Sequence, residues 1–274
     1  MDLIDQPLPF VEAVKALAQK KLMPTSLDSA GIRALDSGVR RQSFFSAKTT
    51  NEYLLQLYKD RIGGMINPVR VEGQATTEFS PAYVRLAVKN LLQEVGYAPN
   101  PDEAGTLTDL SSDARINLVL RTNKQLAQGE GWWVQGQNAA VLDQWPAQEL
   151  FRAESRAKER DWLSRWRMAG DSTDDPIGTG WTITTDGRMI ALKNHDIWNW
   201  IGSSELFDDA LDVIWPPFAF NSGMDVRDVD RAEAELIGLM KKGDAAPEPM
   251  NIVDAIKSFT EKISAMAGEA EVAA

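Results

Sequence analysis

In the first half of the chain, apolar residues recur every three to four positions, which is the spacing of an amphipathic helix. In the first such stretch Val14 and Leu17 fall near one face, and Pro24 ends the pattern. Similar stretches follow, separated by Gly, Pro and Ser. The pattern predicts helices within residues 9–22, 49–64, 80–97 and 111–131.

The ends of these predicted helices carry capping residues. Ser, Thr and Asn side chains accept hydrogen bonds from the free N–H groups of a first helical turn, and Pro is favoured at its first position. The expected caps are Thr25 or Ser26 for a short helix after the first, Thr50 or Asn51 for the second, and Ser80 followed by Pro81 for the third. Glycines are expected to close the later helices, at Gly63-Gly64, Gly96 and Gly129.

The pattern changes near residue 130. The stretch "TGWTITTDGRMIALK" (179–193) has two alternating runs around Thr185-Asp186-Gly187, which is typical of a β-hairpin. The stretch "ELFRAESR" (149–156) predicts a further strand or the end of a helix. The fold class is therefore predicted to be α+β. Its regions are a mainly helical one over 1–130, a small Trp-rich mixed α/β one over 131–243, and a linker with an amphipathic helix over 244–274.

All nine Trp residues lie between Trp132 and Trp215. A Trp cluster can mark a sugar or nucleotide site. Trp residues at irregular spacing more often supply packing in a core or an interface. Both interpretations stay open here, and the packing interpretation is favoured.

Three acids crowd together at the end of "WPPFAFNSGMDVRDV" (215–229) and just after it. Asp230 and Glu233 have the spacing of a capping box, with Asp in place of the usual Ser or Thr. The apolar residues that follow predict a helix that ends at Lys241-Lys242-Gly243. The spacing does not match a calcium loop. Asp225, Asp228 and Asp230 are therefore interpreted as the polar entry to a helix rather than a metal site.

The C-terminal region predicts a docking helix. After the linker "DAAPEP", apolar residues recur at i, i+4, i+7, i+11 and i+14 and form one narrow stripe. A helix of about 15 residues is marginal alone in water, so its stripe must dock. It docks on the protein's own body or in a groove on a partner. The candidate partner-binding residues are Ile252, Ile256, Phe259, Ile263 and Met266.

The composition narrows the chemistry. The chain has 274 residues, no Cys and one His, so disulfides, thiolate zinc sites and a Cys nucleophile are excluded. The remaining kinds of site are catalysis by carboxylates and Mg or Ca bound by carboxylates. His195 is most simply interpreted as a polar turn residue. We therefore predict no catalytic residue, cofactor or metal.

The N-terminus, "MDLIDQPLPF", has acids and prolines where a signal peptide has a basic start and an apolar run. No stretch approaches the ~20 apolar residues of a membrane span. We expect a protein that is made and used in a cytoplasm, or carried in a particle assembled there, with no membrane partner.

Charge is unevenly distributed. The formal net charge is -11, yet residues 33–70 carry seven basic and three acidic residues, or +4. From residue 201 onward there are six basic and 15 acidic residues, or -9. The basic region is either a set of ordinary solvated helix faces or a contact surface for packaged DNA or an acidic partner. The residues predicted for DNA contact are Arg33, Arg40, Arg41 and Lys48.

Several segments, in the same order, resemble the phage head-morphogenesis family of Mu F-like minor head proteins. The segments are "KKLMPTSLDSAGI" (20–32), "RRQSFFSAKTTNEYLL" (40–55), "LRTNKQLAQGEGWW" (120–133), "FRAESRAKERDWLSRWRMAGD" (151–171) with "GRMIALKNHDIW" (187–198), and the Pro-Pro segment at 215–229. The resemblance spans roughly residues 10–240. Asn221-Ser222-Gly223-Met224 stands where many members have a Cys-Arg-Cys segment, and Arg160-Asp161-Trp162 stands where they have a His. The chain therefore resembles a cysteine-free branch.

The resemblance implies a minor head protein that assembles inside a procapsid near the portal and resides in the virion. Portal, capsid or scaffold proteins are its implied partners, and it is involved in DNA packaging or ejection. The family is also linked by fold to ADP-ribosyltransferases, and Arg152 and Glu154 imitate fragments of their motifs. The alternative is thus an ADP-ribosyltransferase-like or carboxylate-dependent enzyme that uses Glu154 or the Asp225 group, with a Trp-rich pocket.

Overall fold

The structure is a computed structural model that describes residues 10–67, 70–71, 74–75, 79–156 and 159–251. The chain divides into two compact units, Met1–Trp132 and Trp133–Ala274. The N-terminal half is helical and the C-terminal half contains a small antiparallel sheet, which confirms the predicted α+β class. The predicted C-terminal amphipathic helix lies outside the described residues.

The N-terminal unit is built mainly from helices. They are α1 (Val11–Gln19), α2 (Ser29–Arg33), α3 (Ser37–Gln42), α4 (Glu52–Ile66), α5 (Pro81–Glu94) and α6 (Asp113–Gly136), whose last residues belong to the second unit. Strand β1 (Lys21–Leu22) runs parallel to β2 (Ser43–Phe44), and β3 (Arg70–Val71) runs antiparallel to β4 (Gln74–Ala75). The first predicted helix is therefore shorter than its apolar pattern, because the chain becomes extended after α1.

Side-chain caps begin several of these helices. The Asn51 Oδ1 accepts a hydrogen bond from the Leu54 N–H at 3.0 Å, and Ser80 caps α5 as predicted. The cap of α2 is Asp28 and not Thr25 or Ser26. The Thr25 hydroxyl accepts instead from the Leu27 N–H, in a turn that precedes the helix.

Two predicted helix ends are wrong, because α4 continues past Gly63-Gly64 and α6 continues past Gly129. At Gly131, an added Cβ would lie 2.7 Å from the backbone nitrogen of Ala13. Glycine there allows the backbones of α1 and α6 to approach closely. Gly96, with a φ of 74°, does follow the end of α5 as predicted.

The core of the N-terminal unit is formed by α1, α4, α5 and α6 together with β2. Their apolar positions at helical spacing face one another, as the sequence pattern predicts. Its largest fully buried apolar side chains are Phe44, Leu54, Leu55, Ile62 and Ile116.

The C-terminal unit combines short helices with one sheet. Its elements are α7 (Ala139–Gln144), β5 (Ala147–Arg152), α8 (Trp162–Asp171), β6 (Trp181–Ile183), β7 (Met189–Leu192), α9 (Ile197–Ile201), β8 (Met224–Val229) and α10 (Arg231–Leu236). The strand order is β6-β7-β5-β8, and every pair is antiparallel. The predicted hairpin is confirmed as β6 and β7, and the stretch from Glu149 is a strand.

Strand β5 lies between β7 and β8. Ala147 is opposite both Leu192 and Val229, and Glu149 is opposite both Ile190 and Arg227. The apolar members of this face pack against α10 and the turn after it, through Ala234, Leu239 and Met240. Helix α10 is shorter than predicted, because Gly238 adopts a φ of 81° one turn before the lysine pair.

Most of the Trp residues fill the interior. Seven of the nine Trp side chains are buried, and the exposed two are Trp132 and Trp145. Trp166 lies edge-on to Trp198 at 5.2 Å between ring centroids, and Trp198 stacks on Phe218 at 5.9 Å. This arrangement agrees with the packing interpretation.

Candidate functional site

The sheet brings together three segments that carry the family resemblance. The segment from Phe151 begins in β5, the segment from Gly187 contains β7, and the Pro-Pro segment ends in β8. These segments are far apart in the sequence, yet Phe151 and Arg152 lie opposite Asp225 and Met224 of β8. Strand β7 pairs with the residues of β5 just before them. We take this sheet and the loops at its edge as the candidate functional site.

The interpretation of the three acids as a helix entry is wrong for two of them. Asp225 and Asp228 lie in strand β8, while Asp230 caps α10 by accepting from the Glu233 N–H at 2.8 Å. Alternation in "MDVRDV" is a strand signal that the nearby capping box obscured. The three carboxylates therefore have separate environments.

Asp225 covers part of the sheet edge. Strand β8 is terminal in the sheet, and the Asp225 Oδ1 accepts from the Val226 N–H at 2.8 Å. Burial raises the pKa of the Asp225 carboxyl above its usual range. The Val226 N–H lowers that pKa, and the negative charge of Glu154 raises it.

Asp228 neutralises a buried lysine. The Lys193 side chain is only 1% exposed, and its Nζ lies 2.8 Å from the Asp228 Oδ1. An ammonium group removed from water in this way needs an opposite charge. Asp228 is 47% exposed, so its other oxygen keeps access to water. The sequence gives no signal that pairs these two residues.

A second ion network crosses the opposite face of the sheet. Glu149, whose side chain is 5% exposed, lies 2.6 Å from Arg188 and accepts two hydrogen bonds from Arg227 Nη2, at 2.9 and 2.8 Å. Arg188 also contacts Glu233 of α10 at 2.5 Å, and the carboxylates raise the pKa of Arg188. The network links β5, β8 and the residue just before β7 to α10. Its one sequence signal is a Glu at an inward position of β5.

Arg156 and Arg160, in the segment between β5 and α8, contact the loop after Pro216-Pro217. The Arg160 Nη2 donates to the Phe220 carbonyl at 2.6 Å, and the Arg156 Nε donates to the Asn221 carbonyl at 3.1 Å. The carbonyl of Gly223 accepts from the backbone at Ala153 and Glu154. The segment thus holds the Asn-Ser-Gly-Met turn, where the resembling family often has cysteines.

The residues of the enzymatic alternative are engaged in local contacts. The Arg152 Nη2 donates to the Arg160 carbonyl at 3.4 Å. Glu154 forms an ion pair with Arg156 at 2.6 Å. Among the described residues, no three His, Asp or Glu side chains are grouped so that they could hold a metal ion.

His195 lies in a turn before α9, as predicted, but it is buried. Its Nδ1 accepts from the Ile197 N–H at 3.1 Å, so the ring proton belongs on Nε2. That nitrogen lies 3.2 Å from the Asp175 Oδ2. The imidazole thus ties the loop before β6 to the start of α9.

The residues predicted for DNA contact lie on two short helices and a loop of the N-terminal unit. Arg33 and Lys48 are exposed, whereas Arg40 and Arg41 are half-buried. The Arg40 Nε donates to the Leu35 carbonyl at 3.1 Å, and the Arg41 carbonyl accepts from Lys20. Arg33 and Lys48 are therefore the more accessible of the four.

A half-buried arginine of α6 contacts the resembling segment at 40–55. The Arg115 Nη2 donates to the Ser46 Oγ at 2.6 Å and to the Ala47 carbonyl at 2.7 Å. Burial lowers the pKa of Arg115. The "FFSA" stretch is thus attached to α6, a contact that sequence spacing did not indicate.

The candidate partner-binding residues lie outside the described part of the chain. They are Ile252, Ile256, Phe259, Ile263 and Met266. The chain just before them is held to the C-terminal unit, because the Met250 N–H donates to the Gln137 Oε1 at 2.8 Å.

None of the described helices combines the length and apolar character that crossing a membrane requires. Comparisons with models of protein families, with curated proteins and with solved structures found no match to this chain.

Proposed function

We propose that this chain is a minor structural protein in the head of a tailed phage or prophage. It assembles inside the procapsid near the portal and acts in DNA packaging or ejection. Its partners are the portal protein and capsid or scaffold proteins. The mature protein resides in the virion.

One observation supports this proposal most strongly. The resembling segments at 151–171 and 215–229 meet where Phe151 and Arg152 lie opposite Asp225 and Met224 in the sheet. The segment at 187–198 contacts both through Trp198, whose ring lies 5.2 Å from that of Trp166 and 5.9 Å from that of Phe218 between centroids. The segments that resemble the family therefore belong to one folded unit and are not separate short stretches. Because fold and motif alone do not carry function, the proposal needs a direct test.

The test is the copy number of the chain in purified particles. A minor head protein is present in a few copies per head, measured by quantitative mass spectrometry against the major capsid protein. Absence from particles would favour the enzymatic alternative with Arg152, Glu154 and Asp225.

The apolar stripe of the C-terminal region supplies a second test. We expect that Phe259→Asp prevents incorporation into heads, because a charge would enter the docked face. Lys257→Asp, at a position off the stripe, is the matched control and should incorporate normally. If both variants incorporate equally, the stripe does not dock on a head protein.

The best truncation for this test ends at Asn251 rather than at Gly243. The Asp244 carbonyl accepts from Arg231 at 3.1 Å, and Met250 bonds to Gln137 at 2.8 Å. A chain that ends at Asn251 keeps both contacts. It should melt like the full chain and fail to enter heads, whereas much earlier melting would show that the stripe docks on the protein's own body.

DNA contact is tested best at the exposed cations. Reversing Arg33 and Lys48 to Glu should weaken low-salt DNA binding while leaving the melting temperature unchanged. Arg40 and Arg41 are poorer choices because both are half-buried. DNA binding that is unaffected by the double reversal would remove the nucleic-acid part of the proposal.

A further inference from the structure

Three buried nitrogen atoms near the start of α8 have no hydrogen-bond partner. They are the Arg152 Nη1, the Trp162 Nε1 and the Arg165 Nη1. Native proteins pair nearly all buried polar groups, so a group of orphan atoms needs an explanation. All three atoms are donors, and a bound acceptor would satisfy them.

Trp162 and Arg165 lie in the first turn of α8, and the Arg152 side chain contacts the chain just before it. The Arg152 Nη2 and the Trp162 backbone N–H both donate to the Arg160 carbonyl, at 3.4 and 3.0 Å. The Arg165 guanidinium lies over the Trp162 ring, 5.2 Å from its centroid. Trp162 is only 4% exposed, so its N–H has little access to bulk water.

The ion pairs of these arginines are not one to one. Arg152 pairs with Glu159 at 3.5 Å, while Arg160 and Arg165 share the single carboxylate of Asp209. Three guanidiniums therefore contact two carboxylates. A third acid, Asp161, accepts from the backbone N–H and the hydroxyl of Ser164 at the helix start.

We propose that this cluster binds a phosphate group, as inorganic phosphate or a phosphate monoester. A tetrahedral phosphate presents acceptor oxygens in several directions, and guanidinium groups bind such oxygens strongly. The burial of Trp162 and the net charge of -11 favour a small anion over the backbone of a DNA duplex. This proposal is independent of the proposed role in the phage head.

The test is isothermal titration of the full chain with inorganic phosphate at constant ionic strength. Saturable binding to one site is expected. The variant Trp162→Phe removes the indole N–H and keeps a ring for Arg165 to cover, and it should weaken binding about tenfold. Arg152→Lys keeps the charge and loses the planar fork, so it should weaken binding as well.

Trp215→Phe is the matched control, since its indole nitrogen is also buried without a partner and the residue is 4% exposed. Phosphate affinity should be unchanged in this variant. The proposal is overturned if the wild-type chain shows no saturable phosphate binding, or if Trp215→Phe weakens binding as much as Trp162→Phe.

A competition experiment identifies the form of the phosphate. A short oligonucleotide with a 5′-phosphate should displace inorganic phosphate, and the same oligonucleotide without it should not. Equal displacement by both would contradict a monoester site.

Discussion

The helix caps of the N-terminal unit and the ion network on the sheet of the C-terminal unit act over different distances along the chain. In the N-terminal unit, Asn51 and Ser80 each cap a helix through an N–H three residues away. In the C-terminal unit, Glu149 is held by Arg188 and Arg227, which are 39 and 78 residues away. Local signals thus define the helices of the first unit, whereas the second unit depends on contacts that form only when the sheet forms.

The largest loss of stability is expected when the charge of Glu149, at the centre of the sheet network, is removed. The Glu149→Gln variant leaves two guanidiniums without their shared carboxylate, so the free energy of unfolding should fall by about 3 kcal/mol. Urea unfolding measures the change. Glu233→Gln is the control, because Glu233 is 33% exposed and should lose much less. Equal losses would mean that Glu149 is not the centre of the network.

A glycine tests the N-terminal unit in a similar way. Gly131→Ala places a methyl group against the backbone of Ala13, and we expect a loss of about 2 kcal/mol despite the higher helix propensity of Ala. Gly63 is the control, since its added Cβ meets its nearest atom, the Leu17 Cδ2, at 3.8 Å. Gly63→Ala should stabilise the protein by about 0.5–1 kcal/mol. Thermal unfolding that ranks the two variants the other way would contradict close packing of α1 on α6.

Two acids of the same strand should respond differently to the same substitution. Asp228→Asn leaves the buried Lys193 ammonium facing a neutral amide, and it should cost about 2 kcal/mol. Lys193→Met removes the buried charge, so Asp228→Asn should cost much less in that background. A double-mutant cycle by urea unfolding gives the coupling. A coupling near zero would show that water, rather than Asp228, solvates the lysine.

Asp225→Asn should have the smallest effect, and its effect should depend on pH. Because burial raises the pKa of Asp225 in the folded protein, its ionisation lowers stability as the pH rises from the unfolded pKa through the folded pKa. The Asn variant lacks this loss, so its stability relative to wild type should increase across that interval. Urea unfolding of both proteins at a pH below and a pH above this interval shows whether the difference in stability increases.

For Asp186, in the hairpin turn, the pH dependence of stability should have the opposite sign to that of Asp225. The Thr184 hydroxyl lowers the pKa of Asp186, so its ionisation stabilises the fold. Asp186→Asn should therefore lose stability relative to wild type as the pH rises. Shifts of the same sign in both variants would contradict the assigned environments.

Much of the fold could be predicted because its signals are local. Helical periodicity, the Asn51 and Ser80 caps and the hairpin around Asp186 each depend on residues within one or two turns of the chain. The failures have a physical reason too. Gly129 looked like a helix end, but the helix passes through it and Gly131 is used for close packing on α1.

The candidate site was less predictable because its contacts join residues that are far apart in the sequence. Asp225 and Asp228 sit in a strand whose partner, β5, begins at Ala147, so the local capping signal at Asp230 dominated the sequence pattern. No residue near Lys193 in the sequence predicts its ion pair with Asp228, which lies 35 residues later. Pairings of this kind follow from strand register, which a single sequence leaves open.

The most direct test of the proposed function is a cryo-EM map of the phage head with its portal. We predict density for a few copies of this chain on the inner side of the portal vertex, with the sheet of β5, β7 and β8 recognisable as one body. Heads that lack the chain, or that carry it throughout the shell at the abundance of a major capsid protein, would contradict the proposal.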